Sequence, residues 1–306
     1  MLTSQTQADQ PSLPIIDTHI HMFDPTRPEG VPWPPKTDRI LYKPALPERY
    51  RSLTSKLGVV GAVVVEASPW LEDNQWVLDV AKDNPIIVGF VGDLEPDKPD
   101  FRRQFDRFHR NPLFRGIRYG NLWGRDLGGS LNNPVFVEGL KFVADAGLEM
   151  DTANPDPKLI YAVVQLTDKI PSLRVVVDHL PGLKVPADKA ARQKYEADLR
   201  ELGKRPQVYV KISQVPQRVS GVVSFELSHY RPLLDHLWEV FGADRLLYGS
   251  DWPNSDPSGR YDQILSLVRS YFAEKGTDAS EKYFWKNSIA AYRWVKRDHG
   301  QPQLPA

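Results

Sequence analysis

Leu13-Pro14-Ile15-Ile16-Asp17-Thr18-His19-Ile20-His21 is a short apolar, β-branched run that stops at two histidines. Continuous apolar runs of this length suit a strand buried on both faces. A doubly wound open sheet usually carries a glycine-rich turn after its first strand. Here that turn is His-Ile-His. Residues i and i+2 of a strand share a face, so His19 and His21 present two imidazoles to one side.

The same kind of run recurs along the chain. Further strands are expected at Val59–Val65, Ile86–Val91, Phe114–Tyr119, Leu148–Thr152, Leu173–Val177, Val208–Ile212 and Arg245–Tyr248. Helix-like stretches separate them: 46–57, 72–83, 97–110, 134–146, 157–170, 188–202, 230–241 and 260–274. Asp97 and Asn133 stand where helix-opening residues belong. A last helix is expected over Ser280–Arg297. Eight strands, each followed by a helix, make the count of a closed (β/α)₈ TIM-type barrel, an α/β fold. The barrel domain is expected over 15–298 as a single domain, with a frayed leader at 1–14 and a tail at 299–306. The proline-rich stretch 25–47 reads as a loop inserted after the first strand, on the side where a barrel carries its site.

The 306 residues hold 39 basic and 39 acidic side chains and no cysteine. Balanced, scattered charge gives no footprint for nucleic acid. No apolar stretch is long enough for a membrane span. Disulfides and thiolate metal sites are excluded, so any metal must rest on His, Asp, Glu or oxygen donors. A cytoplasmic location is the expectation, and a homo-oligomer is compatible with the sequence.

Barrel sites gather where strands end. The polar residues there are His19, His21, Glu66, Asp93, Arg118, Tyr119, Asp151, Asp178, His179, Lys211, Ser213 and Asp251. His19, His21, His179 and Asp251 make a set of nitrogen and oxygen donors for one divalent ion, zinc or manganese. Asp251 is the candidate general base, with His179 beside it in the chemistry. Glu66 ends an apolar strand and needs a partner or a cation. The Arg118 fork matches a carboxylate, or else closes a salt bridge with Asp93 or Asp151. Trp33, Trp70, Trp123 and Trp252 fall in loops after strands, where aromatic walls suit sugars and flat rings. His109, His229, His236 and His299 lie on or beside helices and read as surface or packing residues.

Ile16-Asp17-Thr18-His19-Ile20-His21, Arg115-Gly116-Ile117-Arg118, Val177-Asp178-His179-Leu180, Val210-Lys211-Ile212-Ser213, Tyr248-Gly249-Ser250-Asp251-Trp252-Pro253 and Asn287-Ser288-Ile289-Ala290 occur in that order. Together they resemble the amidohydrolase-related family of metal-dependent hydrolases, the group of sugar lactonases, 2-pyrone-4,6-dicarboxylate lactonase and aminocarboxymuconate-semialdehyde decarboxylase. The resemblance implies a distorted barrel and hydrolysis of a small cyclic ester or a related bond. It implies that His19, His21, His179 and Asp251 line the site, with Arg118, Tyr119, Glu66 and Trp252 toward the substrate. The substrate is expected to be small and to bear carboxylate or hydroxyl groups. Some relatives work without a metal, using the matching Asp as general base. Tyr119 stands where many lactonase-like members have His, a departure that weighs against a sugar lactone. The inner-strand lysine that other members carboxylate has no clear counterpart, which favours one metal ion or none over two. The alternatives to lactone opening are a metal-dependent decarboxylase and a silent barrel serving as a binding module.

Overall fold

A computed structural model describes residues 13–305. The leader expected at 1–14 lies almost wholly outside the described residues. Eight strands run parallel in chain order: β1 (Ile15–Ile20), β2 (Val59–Val65), β3 (Ile87–Gly92), β4 (Phe114–Arg118), β5 (Glu149–Asp151), β6 (Arg174–Val177), β7 (Val208–Ile212) and β8 (Leu246–Tyr248). Each agrees with its sequence expectation to within two residues at either end. Their side chains are nearly all buried, as expected of strands walled by the barrel lumen on one face and helices on the other.

The seam between β8 and β1 is where the barrel is distorted. No regular ladder joins the two strands. The chain just after β8 bonds to the end of β1 instead: Asp251 N–H donates to His19 O at 2.9 Å, and His21 N–H donates to Trp252 O at 2.7 Å. Thr18 Oγ1 donates to Tyr248 O at 2.6 Å. Asp17 stitches the seam from within: Oδ1 accepts Ser250 N–H at 2.8 Å, and Oδ2 accepts the Tyr50 and Tyr261 hydroxyls, both at 2.9 Å. This irregular closure holds His19, His21 and Asp251 in one register.

Several helices start where local chemistry tells them to. Asn133, Asp156 and Asp188 each accept a backbone N–H of the following first turn through the side chain. Asp97 does not open its helix, which spans Phe101–His109. A short helix at Leu127–Ser130 and a hairpin of Arg218–Val219 with Val222–Val223 were not expected from the pattern.

The C-terminal segment departs most from expectation. Its helix passes through a wide π turn at Lys282–Lys286 and ends at Tyr292, not Arg297. Arg293 then adopts a left-handed conformation, with φ +51°. Tyr292 and Trp294 plug the barrel floor against Ile16, Val63, Val88 and Val176. Val295 N–H donates to Val88 O at 2.8 Å. The Arg297 guanidinium donates to the carbonyls of Ala81, Lys82, Asn84 and Ile87, capping the end of the helix Leu71–Lys82. Gln301 is buried and donates to Val60 O and Pro85 O, so the chain is packed down beyond residue 298. A helix could not deliver this run of contacts across the floor.

Candidate active site

The barrel mouth brings four of the expected residues to one point. His19 and His21 lie at the end of β1, His179 follows β6, and Asp251 follows β8. His19 Nε2 is 3.2 Å from His21 Nε2. Asp251 Oδ1 lies 3.3 Å from His21 Nε2 and 3.7 Å from both His19 Nε2 and His179 Nε2. All four side chains are buried. His179 and Asp251 have left-handed backbones, with φ of +52° and +59°. Non-glycine residues rarely adopt these values, and such strain clusters at functional sites.

The surroundings hold each group in place. His21 Nδ1 donates to Val65 O at 2.9 Å. His179 Nδ1 bonds with Ser213 Oγ at 2.7 Å. Asp251 Oδ2 accepts Gln214 Nε2 at 2.7 Å and Asn254 Nδ2 at 3.1 Å, while Oδ1 has no hydrogen-bond partner. Burial, reinforced by the Lys211 charge, holds the His19 pKa well below its ordinary value. Burial lowers that of His179 as well. Both shifts favour the neutral imidazole, the form that binds metals. Burial works to raise the Asp251 pKa, but the His179, His21 and His19 rings outweigh it and hold the carboxyl below its usual range.

This donor set fits a divalent ion. His19, His179 and Asp251 offer ligand atoms within 4.8 Å of one another. Ligands about 2.05 Å from a tetrahedral zinc stand about 3.4 Å apart. Three ring nitrogens converging on an unpartnered carboxylate oxygen match that chemistry.

The mouth opens into a cavity of about 280 Å³ lined by His21, Trp33, Glu66, Arg118, Trp123 and His179, among others. Trp33 belongs to the proline-rich loop, and its ring centroid is 6.0 Å from that of His21. That loop does reach over the site. Glu66 is fixed by Ser68 N–H at 3.0 Å and by Trp123 Nε1 at 3.2 Å. Arg118 Nε donates to Asp178 Oδ2 at 3.1 Å and to Thr152 O at 3.2 Å. Its Nη1 is 3.8 Å from Glu66 Oε1. Asp93 pairs with Arg125 rather than with Arg118.

Two residues expected to face the substrate lie elsewhere. Tyr119 packs on Phe136 in the core, and its hydroxyl bonds with Ser130 Oγ at 2.9 Å. Trp252 is fully buried between Tyr50 and the Arg49 guanidinium, because its backbone is tied to β1 at the seam. Neither lines the cavity. Gln214, Asn254 and Asn154 do line it and were not singled out from the sequence. Gln214 directly follows a strand-end serine and Asn254 stands three residues after Asp251, but an isolated amide carries no signature. Lys211 points into the barrel and ion-pairs with Asp151 and with Asp178. Burial works against its charge, but Asp151 and Asp178 overcome it and raise its pKa. A lysine held as ammonium is not the nucleophilic amine that carboxylation needs.

The family model described as Amidohydrolase matches residues 16–294, and the chain belongs to that family. It is 29% identical over 286 residues to L-fucono-1,5-lactonase of Burkholderia ambifaria, covering 91% of this chain and 95% of that protein. It is 26% identical to 4-sulfomuconolactone hydrolase of Rhizobium radiobacter, covering 83% and 82% of the two chains. A solved amidohydrolase of Burkholderia multivorans with bound zinc matches with a TM-score of 0.79 at 23% identity, over 92% of this chain and 99% of that one, and shows the same fold. No helix among the described residues is long and apolar enough to cross a membrane.

Proposed function

We propose that this protein hydrolyses a small, neutral, hydroxyl-bearing lactone with one divalent ion, zinc, held by His19, His21, His179 and Asp251. The carrying observation is the convergence of three ring nitrogens and the unpartnered Asp251 Oδ1 at the base of the cavity. The named lactonases among the relatives support ring opening. The zinc in the structural neighbour supports the choice of ion.

A bound divalent ion supplies polarisation of the lactone carbonyl and a more acidic water. The chain's own groups do the rest. Asp251, held ionised and aimed by Gln214 and Asn254, takes the proton of the attacking water through Oδ1. As the ring C–O bond breaks, that proton passes to the departing ring oxygen, leaving a hydroxy acid. His179, oriented by Ser213, stands beside the reacting carbonyl. Trp33 and Trp123 wall the cavity against bulk water and offer flat faces to a ring.

The cavity's polar groups favour hydroxyls over a carboxylate. Arg118, the natural carboxylate clamp, already spends Nε and Nη1 on Asp178, Thr152 and the Glu66 region. Glu66, Asn154, Gln214 and Asn254 instead supply acceptors and amides of the kind that sort sugar hydroxyls. Tyr119 lies outside the cavity, so its presence in place of His does not weigh against a sugar-type substrate.

The test is a pH-indicator assay of aldono-1,5-lactones beside carboxylate-bearing lactones, with metal content measured on the same samples. Acid release from the neutral sugar lactones, lost with the metal and restored with zinc, is expected. Preference for the carboxylate-bearing series would overturn the substrate class. CO₂ release from unsaturated acids without ring opening would replace hydrolysis by decarboxylation.

A further inference from the structure

The first-strand histidines are wired from both ends. A carbonyl only accepts, so Val65 O at 2.9 Å fixes a proton on His21 Nδ1, and in the neutral ring the lone pair then lies on Nε2. His19 Nε2 lies 3.2 Å from that lone pair. On its far side, His19 Nδ1 is 3.0 Å from Lys211 Nζ and 3.4 Å from Asp178 Oδ1. An ammonium only donates and a carboxylate only accepts. The two neighbours therefore ask opposite things of the same ring nitrogen.

A neutral His19 has one ring proton, and each placement has a consequence. With the proton on Nε2, His19 donates to His21 and accepts from Lys211, so both of its ring nitrogens are satisfied without an ion, while Asp251 Oδ1 stays without a hydrogen-bond partner. With the proton on Nδ1, His19 donates to Asp178. Two Nε2 lone pairs then face each other at 3.2 Å beside the unpartnered Asp251 Oδ1, and only a cation among them relieves the arrangement. Lys211 cannot withdraw to ease the choice. It is fully buried, pinned between Asp151 and Asp178, with Nζ 5.3 Å from the Tyr292 ring centroid.

We propose that Lys211 is a positioning residue acting through His19. It holds the ring as the Nε2–H tautomer in the ion-free protein and so opposes binding of a divalent ion. Asp178 takes over Nδ1–H when an ion enters. The Lys211–His19–Asp178 group thus gives His19 Nδ1 a partner both with and without metal. The inference rests on the single-ion reading above.

The experiment uses full-length ¹⁵N-labelled protein stripped by chelator, with His19 assigned by comparison with His19→Gln. Long-range ¹H–¹⁵N correlation spectra report which ring nitrogen carries the proton, before and after adding zinc. The ion-free wild type should show His19 protonated at Nε2, and zinc should move the proton to Nδ1. Lys211→Met should lose the Nε2–H preference and bind zinc at least about tenfold tighter, since a charge-assisted competitor has gone. A lysine that merely supports the fold would weaken zinc binding when removed. Nδ1–H in the ion-free wild type, or zinc affinity in Lys211→Met that is unchanged or weaker, overturns the proposal. If Lys211→Met does not fold, the wild-type spectra decide alone. If zinc does not bind the wild type at all, the metal reading of the preceding section fails, while the ion-free tautomer still decides the role of Lys211.

Discussion

Replacing Asp251 by Asn is the sharpest probe of the site because the structure fixes how the amide must sit. Gln214 Nε2 and Asn254 Nδ2 both donate to Oδ2, so the new side chain must place its carbonyl oxygen there. Its NH₂ then occupies the Oδ1 position, facing the His19, His21 and His179 rings. Shape and hydrogen bonds on one side survive, while the negative charge and the proton-accepting lone pairs on the other are lost. General-base assistance contributes about 10²–10⁴-fold, or about 3–5 kcal/mol at 1.36 kcal/mol per tenfold. We expect kcat/KM on the lactone substrate to fall by that factor. The surrounding rings hold the Asp251 carboxyl below its usual range, so the fold stabilises the charged form, and its loss should lower Tm at neutral pH. The readouts are initial rates at saturating and limiting substrate, with a thermal melt on the same preparation. A folded Asp251→Asn enzyme within tenfold of wild type in kcat/KM would refute Asp251 as the base.

Three further outcomes follow from particular contacts. Tyr119→Phe should leave KM and kcat within about twofold and cost about 0.5–1.5 kcal/mol of stability, the worth of its bond to Ser130; a rise in KM would put Tyr119 back at the substrate. Glu149 is fully buried, and burial first, then the Asp151 charge, lifts its pKa well above the ordinary carboxyl value. The folded state therefore holds a proton that the unfolded chain releases near pH 4.3, and stability falls as pH rises above that value toward the folded pKa. Glu149→Gln should gain on wild type by up to about 1.4 kcal/mol per pH unit across that window in denaturant titrations, and parallel pH profiles would contradict it. Arg297→Ala removes donors from four carbonyls at the end of one helix and the start of β3, and should lower stability by several kcal/mol in the same titrations with kcat unchanged; a loss under 1 kcal/mol would show that the floor is not held by this residue.

Much of the barrel is legible in sequence because strands buried on both faces leave short, unbroken apolar runs. Val59–Val65 and Val208–Ile212 coincide with β2 and β7 residue for residue. The C-terminal segment escaped this logic. Ser280–Arg297 keeps helix-compatible residues throughout, yet burying Tyr292 and Trp294 under the lumen turns the chain at Arg293. That gain is made against residues hundreds of positions away, and no local pattern records it. Tyr119 and Trp252 show the same limit at the site. Position at a strand end was readable; the direction of the side chain was not, because core packing and the irregular seam set it.

The sequence by itself determined the eightfold alternation and placed His19, His21, His179 and Asp251 at strand ends, because strand periodicity and strand termini are local properties. It also excluded cysteine ligation by composition. Only the tertiary structure decided that the four side chains meet, that Arg118 is engaged by Asp178, and that Lys211 and Asp178 compete for one ring nitrogen of His19. Those outcomes depend on distances between strands far apart in the chain, set by barrel closure and by an Asp17-stitched seam.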